Sequence, residues 1–112
     1  MVVHEWTQIN VNAQDKSGHT ALTLHSESGN KELVELILRH NKINVNHKHP
    51  CGWTALMIAG SSGRTGIVEL LLKHPQIDAS IKDKNGETAL ELAKKRKNVL
   101  TAKLLEEHHA TS

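Results

Sequence analysis

Nine histidines and one cysteine are the side chains of this chain best suited to chemistry. Three of them, His47, His49 and Cys51, alternate along the sequence, and two-residue alternation in extended backbone places side chains on one side. Imidazole and thiolate are the usual ligands of zinc, so the segment is a candidate metal site. Pro50 interrupts this alternation. A solvated polar arm is the simpler interpretation, so we expect no metal and no cofactor.

The rest of the sequence lacks the common catalytic patterns. It contains no glycine-rich phosphate loop, no paired-carboxylate motif and no nucleophile motif. We therefore expect a protein that is not an enzyme.

Four consecutive basic residues, Lys94 to Lys97, form the densest charge cluster. Such a run is typical of a nuclear-import signal or of a patch that binds an anionic surface. The run also lies where a helix should end, and lysines there are solvated and suit the helix dipole. We favour this second interpretation. Nucleic-acid binding would rest on this cluster alone, so nucleic acid is not expected as a partner.

The composition indicates one small soluble domain. The chain has 112 residues and a formal net charge of +2 with both signs interspersed, so no strong field attracts nucleic acid or an acidic membrane. A single cysteine cannot form a disulfide framework, which favours the cytoplasm, with the nucleus as an alternative. No segment has the pattern of a signal peptide or a membrane span, so no membrane association is expected.

A tandem repeat organises the whole sequence. The tripeptide Thr-Ala-Leu begins at Thr20, Thr54 and Thr88, a step of 34 residues, and a glycine precedes each copy by two residues. Such a period is typical of a solenoid, in which each unit buries its apolar side against its neighbours.

Each repeat is predicted to contain a turn and two short helices. In the first, Thr20 caps a helix to about Ser28, Gly29 breaks it, and a second helix covers 31–39 with a Glu35–Arg39 pair. The corresponding helices are predicted at 54–61 and 65–73, with a break at Gly63, and at 88–95 and 99–107. The alternating segments 43–46 and 77–80 predict extended hairpin arms between the repeats.

These residues resemble the ankyrin repeat family. The patterns D-x-x-G-x-T-x-L, G-x-x-x-[LI]-V-E-L-[LI]-L and I-[ND]-[VA]-[NS] recur in phase over residues 9 to 108. The resemblance implies an all-α solenoid of helix-turn-helix units. The chain lacks the Pro and His of the family's Thr-Pro-Leu-His. Its step is one residue longer than 33, which should reshape the loops at 41–42 and 75–76.

The register divides the chain into 1–14, a partial repeat or N-terminal cap, and full repeats at 15–48, 49–82 and 83–112. Either Val2, Val3 and Trp6 cover the first repeat, or the chain is a piece of a longer array; we favour the fragment. Polar residues in the last helix, among them Thr101 and Lys103, suit a terminal cap. We expect a monomer unless the uncapped N-terminus associates.

The resemblance also implies that a protein partner binds the hairpin tips and the exposed side of the first helices. The residues at these positions are Lys16, Ser17, His19, Glu27 and Ser28 in repeat 1, Pro50, Cys51, Trp53, Ser61 and Ser62 in repeat 2, and Lys84, Asn85, Glu87, Lys95 and Arg96 in repeat 3.

Trp53 is the largest of these side chains, and it is either a binding hot spot or a residue that packs on His19 or the neighbouring hairpin and stiffens the arm. Asn12 and Asn46 lie where ankyrin proteins can carry hydroxylated asparagine, but a turn-stabilising role is simpler. The predicted function is a non-enzymatic interaction module; the alternative is a regulatory or targeting segment of a larger enzyme or channel.

Overall fold

A computed structural model describes the backbone of residues 10–111 and the side chains of residues 10–108. All regular secondary structure in this part of the chain is helical, which confirms the predicted all-α fold. The helices form three consecutive pairs: α1 (Ala21–Ser28) with α2 (Lys31–Leu38), α3 (Ala55–Ser62) with α4 (Thr65–Leu72), and α5 (Ala89–Lys95) with α6 (Val99–Thr111). Within residues 10–111, none of these helices has the length and hydropathy needed to span a bilayer.

The first helix of every pair begins at a threonine, as the sequence predicts. The hydroxyl oxygen accepts the backbone N–H three residues later at 3.3 Å in all three repeats, at Thr20, Thr54 and Thr88. In repeats 1 and 3 the bond is reciprocal. The backbone N–H of Thr20 donates to the Thr23 hydroxyl oxygen, and that of Thr88 donates to the Glu91 carboxylate, both at 2.9 Å. Met57 has no group for this reciprocal bond, so repeat 2 has half of the capping box.

Left-handed residues end the first helices. Gly29 and Gly63 have φ of 81° and 71°. In repeat 3 the equivalent residue is Lys97, which takes the same conformation with φ of 62°. The turn therefore keeps its shape, and the lysine accepts a conformation that costs a residue with a Cβ about 1–2 kcal/mol.

The segments between repeats alternate in burial without forming strands. Ile43 and Val45 are buried and Asn44 is exposed, as the alternation predicts, but turns interrupt the extended arm that we expected. The loops with the extra residue are closed by histidine: Nδ1 of His40 accepts the N–H of Lys42 at 3.1 Å. Repeat 2 repeats this bond between His74 and Gln76 at 3.1 Å, so both loops turn without a glycine.

Small residues allow the first helices to approach closely. Residues 55–61 of α3 are all buried between α1 and α5. A Cβ on Gly60 would lie 3.4 Å from the carbonyl oxygen of Ala89. The first helices contact one another more extensively than the second helices do. Because larger residues such as Val68 and Leu71 separate the second helices, the stack should bend toward the first helices.

The two ends of the stack differ from its middle. Leu24 is 43% exposed, whereas its counterpart Ile58 is 6% exposed. Val2, Val3 and Trp6, which we considered as a cap, lie outside the described residues. At the other end, the prediction that Thr101 is a polar surface residue is wrong. It is 1% exposed because α6 turns it toward α4, where its Oγ1 lies 3.2 Å from that of Thr65.

Two asparagines join consecutive repeats. The side-chain amide of Asn46 donates to the carbonyl oxygen of Gln76 at 2.8 Å, and its Oδ1 accepts the N–H of Asp78 at 2.9 Å. Asn12 makes the same two bonds to Lys42 and Asn44, at 2.8 and 2.7 Å. The structural role that we favoured for these asparagines is therefore a bridge between repeats, and it extends beyond their own turn.

We predict that Asn46→Ala lowers the free energy of unfolding by about 1–2 kcal/mol, because both bonds of the bridge are lost. Asn41→Ala is the control, since Asn41 is an exposed asparagine in the loop before the same segment. Urea denaturation followed by circular dichroism measures both. Equal effects of the two substitutions would contradict the bridging role.

Glycine substitutions in the turns should differ in cost. Gly18 and Gly86 both have positive φ, 87° and 77°, but a Cβ on Gly18 would overlap the Pro50 ring, whereas one on Gly86 meets nothing within 4 Å. Gly86→Ala should cost about 1 kcal/mol from backbone strain alone. Gly18→Ala should cost about 1–3 kcal/mol more from the overlap. The same denaturation measurement checks this order, and a larger loss for Gly86→Ala would refute it.

Candidate protein-interaction surface

Each repeat projects a five-residue turn, which we call a tip: residues 15–19, 49–53 and 83–87. The N–H of the first residue donates to the carbonyl oxygen of the fifth at 2.9, 2.8 and 2.9 Å. The N–H of the glycine in fourth place donates back to the carbonyl oxygen of the first at 3.0, 2.7 and 3.0 Å. The three tips therefore have the same closed backbone.

The first residue of each tip also holds the turn with its side chain. Oδ1 of Asp15 accepts the N–H groups of Ser17 and His19, both at 2.9 Å. Oδ1 of Asp83 accepts the equivalent pair in the third tip, also at 2.9 Å. The second tip has His49 here, and its Nδ1 accepts a single N–H, that of Cys51, at 3.0 Å.

These bonds favour the ionised form of both aspartates. The backbone N–H of His19 lowers the pKa of Asp15 against an opposing contribution from desolvation. The backbone N–H of Glu87 lowers the pKa of Asp83, where desolvation again acts in the other direction and the Trp53 indole assists. Each carboxylate therefore stabilises its tip while it is charged.

In the first two tips, the fifth residue contacts the first residue of the next tip. Trp53 is partly buried, and its Nε1 donates to Oδ2 of Asp83 at 3.0 Å. The ring centroids of His19 and His49 lie 4.2 Å apart. We considered two contacts for Trp53, one with His19 and one with the neighbouring hairpin. In the structure it contacts Asp83 of the neighbouring hairpin, whereas the ring of His19 packs on that of His49. Glu87, the fifth residue of the third tip, forms an ion pair with Lys95 at 3.1 Å.

The predicted contact residues fall into three groups by exposure. Most are exposed: the tip residues Lys16, Ser17, Pro50, Cys51, Lys84 and Asn85, and the helix-end residues Glu27, Ser28, Ser62, Lys95 and Arg96. His19, Trp53 and Glu87 are partly buried. The expected exposure of Ser61 is wrong: this residue is only 8% exposed, because α3 is covered on both sides. Its position does not offer a side chain to a partner.

The histidine and cysteine segment does not converge on one point. Nε2 of His47 lies 3.3 Å from the carbonyl oxygen of Gly18, and Nδ1 of His49 is occupied by the Cys51 N–H. The Cys51 thiol is exposed at the tip. The described part of the chain contains no group of three or more His, Cys, Asp or Glu side chains that could hold a metal ion.

Sequence reasoning missed the side chains that fasten one repeat to the next. Asn98 donates from its amide to the carbonyl oxygens of Gly60 and Ser61, both at 2.9 Å, and Arg64 donates to that of Glu27 at 3.4 Å. Both residues follow the left-handed turn between the paired helices. Arg64 and Asn98 occupy equivalent positions, 34 residues apart, and this equivalence was the sequence signal that could have identified them. Asp15 and Asp83 were also visible in that register as turn residues.

We predict that Asp83→Asn makes folding less sensitive to acid. Because the pKa of Asp83 is lowered in the folded state, the carboxylate stabilises the fold above about pH 4, and this stabilisation disappears as the pH falls through the folded-state pKa. The thermal midpoint of the parent should therefore drop more steeply between about pH 5 and pH 2 than that of Asp83→Asn. Glu32→Gln, at an exposed carboxylate of α2, is the control. Parallel curves for parent and Asp83→Asn would contradict this assignment.

Comparison with known proteins agrees with the geometry. Residues 2–83 and 37–111 each match the family described as ankyrin repeats (3 copies). No curated protein matches the chain. The two matched segments overlap and together cover nearly the whole sequence, and the paired helices recur in the register of that family. The chain therefore belongs to the ankyrin repeat family, whose domains generally serve as protein-interaction modules.

Proposed function

We propose that this protein is a non-enzymatic interaction module that binds a protein partner along its three tips and the exposed ends of its first helices. One observation carries the proposal. Six exposed tip side chains, which form no side-chain hydrogen bond or ion pair among the described residues, stand on closed backbone turns: Lys16, Ser17, Pro50, Cys51, Lys84 and Asn85. A partner that binds such a surface does not have to order its backbone, which reduces the entropic cost of association.

The first helices extend this surface away from the tips. The close approach of α1, α3 and α5 should make their side of the stack concave, and a concave surface surrounds more of a bound partner than a flat one. Its far edge is formed by exposed residues at the ends of the first helices: Glu27, Ser28, Ser62, Lys95 and Arg96. Lys95 already pairs with Glu87, so a partner that uses either residue must compete with this ion pair.

Trp53 is proposed as the centre of the site. Repeat 2 has a neighbour on both sides, and Trp53 is the only aromatic side chain among the predicted contact residues apart from the imidazole of His19. Its indole N–H is held by Asp83, so the ring is fixed before a partner arrives. A rigid aromatic of this kind loses little side-chain entropy on binding, as is typical of hot spots.

We predict that Trp53→Ala weakens partner binding by about 2 kcal/mol or more, because it removes the hot-spot ring. Lys84→Ala should mainly change the association rate and its salt dependence, since Lys84 is an exposed tip charge. A partner captured from cell extract with the immobilised chain provides the ligand, and surface plasmon resonance gives rates and affinities for each variant.

Two further variants serve as controls for the effect of Trp53→Ala on binding. Trp53→Phe keeps a ring and removes the indole N–H, so it tests the bond to Asp83 apart from the apolar contact. Leu36→Ser changes an exposed residue of α2, on the other side of the helix pair. The proposed centre is wrong if Trp53→Ala, with its folding verified, binds within about 0.5 kcal/mol of the parent, the range of neutral surface changes, while Lys84→Ala loses more.

A further inference from the structure

The outer side of repeat 3 contains a groove between α5 and α6, which we call the end groove. Its volume is about 720 Å³, and its lining includes Lys94, Lys97, Val99, Ala102, Lys103 and Glu106. None of these residues belongs to the tips or to the helix-end positions of the surface proposed above. The end groove is therefore a separate site, and its occupancy can be tested independently.

The floor of the end groove is a face of α6 on which Val99 is exposed and Ala102 is buried. Val99, Ala102 and Lys103 are spaced three and four residues apart, so they share one side of α6. In repeat 2 the residue equivalent to Val99 is Thr65, which lies against Thr101 of the next repeat. Among the described residues no side chain takes the place of Thr101 beside Val99, which is 74% exposed.

The rim of the end groove is basic. Three lysines, Lys94, Lys97 and Lys103, face one acid, Glu106. Lys94 pairs with Glu106 across the groove at 3.2 Å. Lys97 and Lys103 form no ion pair among the described residues, so two positive charges beside an apolar floor are available to an incoming anion.

Lys97 also restricts how an occupant can sit. At the equivalent positions, a Cβ on Gly29 would lie 2.8 Å from the Arg64 guanidinium carbon, and one on Gly63 would lie 3.2 Å from the Asn98 amide oxygen. Each of these glycines is thus covered by a side chain of the next repeat. An occupant stacked in that register would meet the Cβ of Lys97. A further repeat in that register would therefore have to shift the corresponding side chain away from Lys97.

We propose that the end groove docks an acidic amphipathic helix of a partner protein. A helix ridge fits the space between two packed helices, and its apolar residues would cover the exposed side chain of Val99. Carboxylates on either side of that ridge would reach Lys97 and Lys103. Charge complementarity with this rim is the observation that selects an acidic partner.

The test is a titration of the full ¹⁵N-labelled chain with a synthetic peptide of about 15 residues, long enough to form a helix on binding. The peptide carries leucines at helical spacing and glutamates elsewhere. A second peptide has the same composition in scrambled order. We expect amide shifts confined to residues 94–106 and an affinity for the scrambled peptide that is weaker by about tenfold.

Matched variants assign the two parts of the contact. Val99→Ser removes an apolar side chain from the floor, and Lys103→Glu reverses one positive charge of the rim. Each substitution should weaken peptide binding about tenfold. Leu36→Ser and Lys42→Glu make comparable changes at exposed positions outside both the end groove and the tips, and they should leave the affinity within about twofold of the parent. Thermal melts verify that all four variants fold.

Several outcomes would overturn the proposal. These are an absence of shifts in residues 94–106, equal affinity for both peptides, or equal losses in the groove and control variants. Tighter binding of a duplex oligonucleotide or of anionic vesicles at the same residues would assign the end groove to those ligands. The same shifts on raising the concentration of the chain alone would make the occupant a second copy. None of these results bears on the tips.

Discussion

The close approach of the first helices is the contact on which the rest of this structure depends. A pair of eight-residue helices cannot bury its own apolar side chains, so each repeat needs its neighbour. Gly60 packs against Ala89 here, and a Cβ on Gly60 would lie 3.4 Å from the Ala89 carbonyl oxygen. This spacing buries α3 completely along residues 55–61. It also sets the distance at which the tips and the asparagine bridges can meet.

Polar side chains keep the repeats in register once the helices are packed. Asn12 and Asn46 each bond to two backbone groups of the next repeat, and Asn98 reaches back to two carbonyl oxygens of the previous one. Backbone groups in loops need partners, and these amides provide them without regular strands. These bonds fix the spacing between neighbouring repeats.

The tips show how a repeated backbone can support different side chains. Asp15 and Asp83 clamp two N–H groups each, whereas His49 clamps one, and the contacts to the next tip change from a histidine pair to an indole–carboxylate bond. The third residue takes part in these bonds only through its backbone N–H, and the side chains in second and third place are not needed for them. They can vary without cost to the turn, which is the physical basis for placing recognition there.

The sequence by itself determined the local structure: the period, the threonine caps, the glycine breaks and the alternating burial of segments 43–46. These follow from interactions within a few residues, such as the bond from the Thr20 hydroxyl to the N–H of Thr23. The exposed tip positions were also predictable, because they are fixed by turn geometry.

Only the tertiary structure decided the burial of Ser61 and Thr101, the bond between Trp53 and Asp83, and the open side of repeat 3. Each depends on where a neighbouring repeat places its atoms, about one period away along the chain. Thr101 and Lys103 are both polar residues of one helix, yet one faces α4 and the other faces solvent. Residue type does not distinguish them; the direction in which α6 packs does.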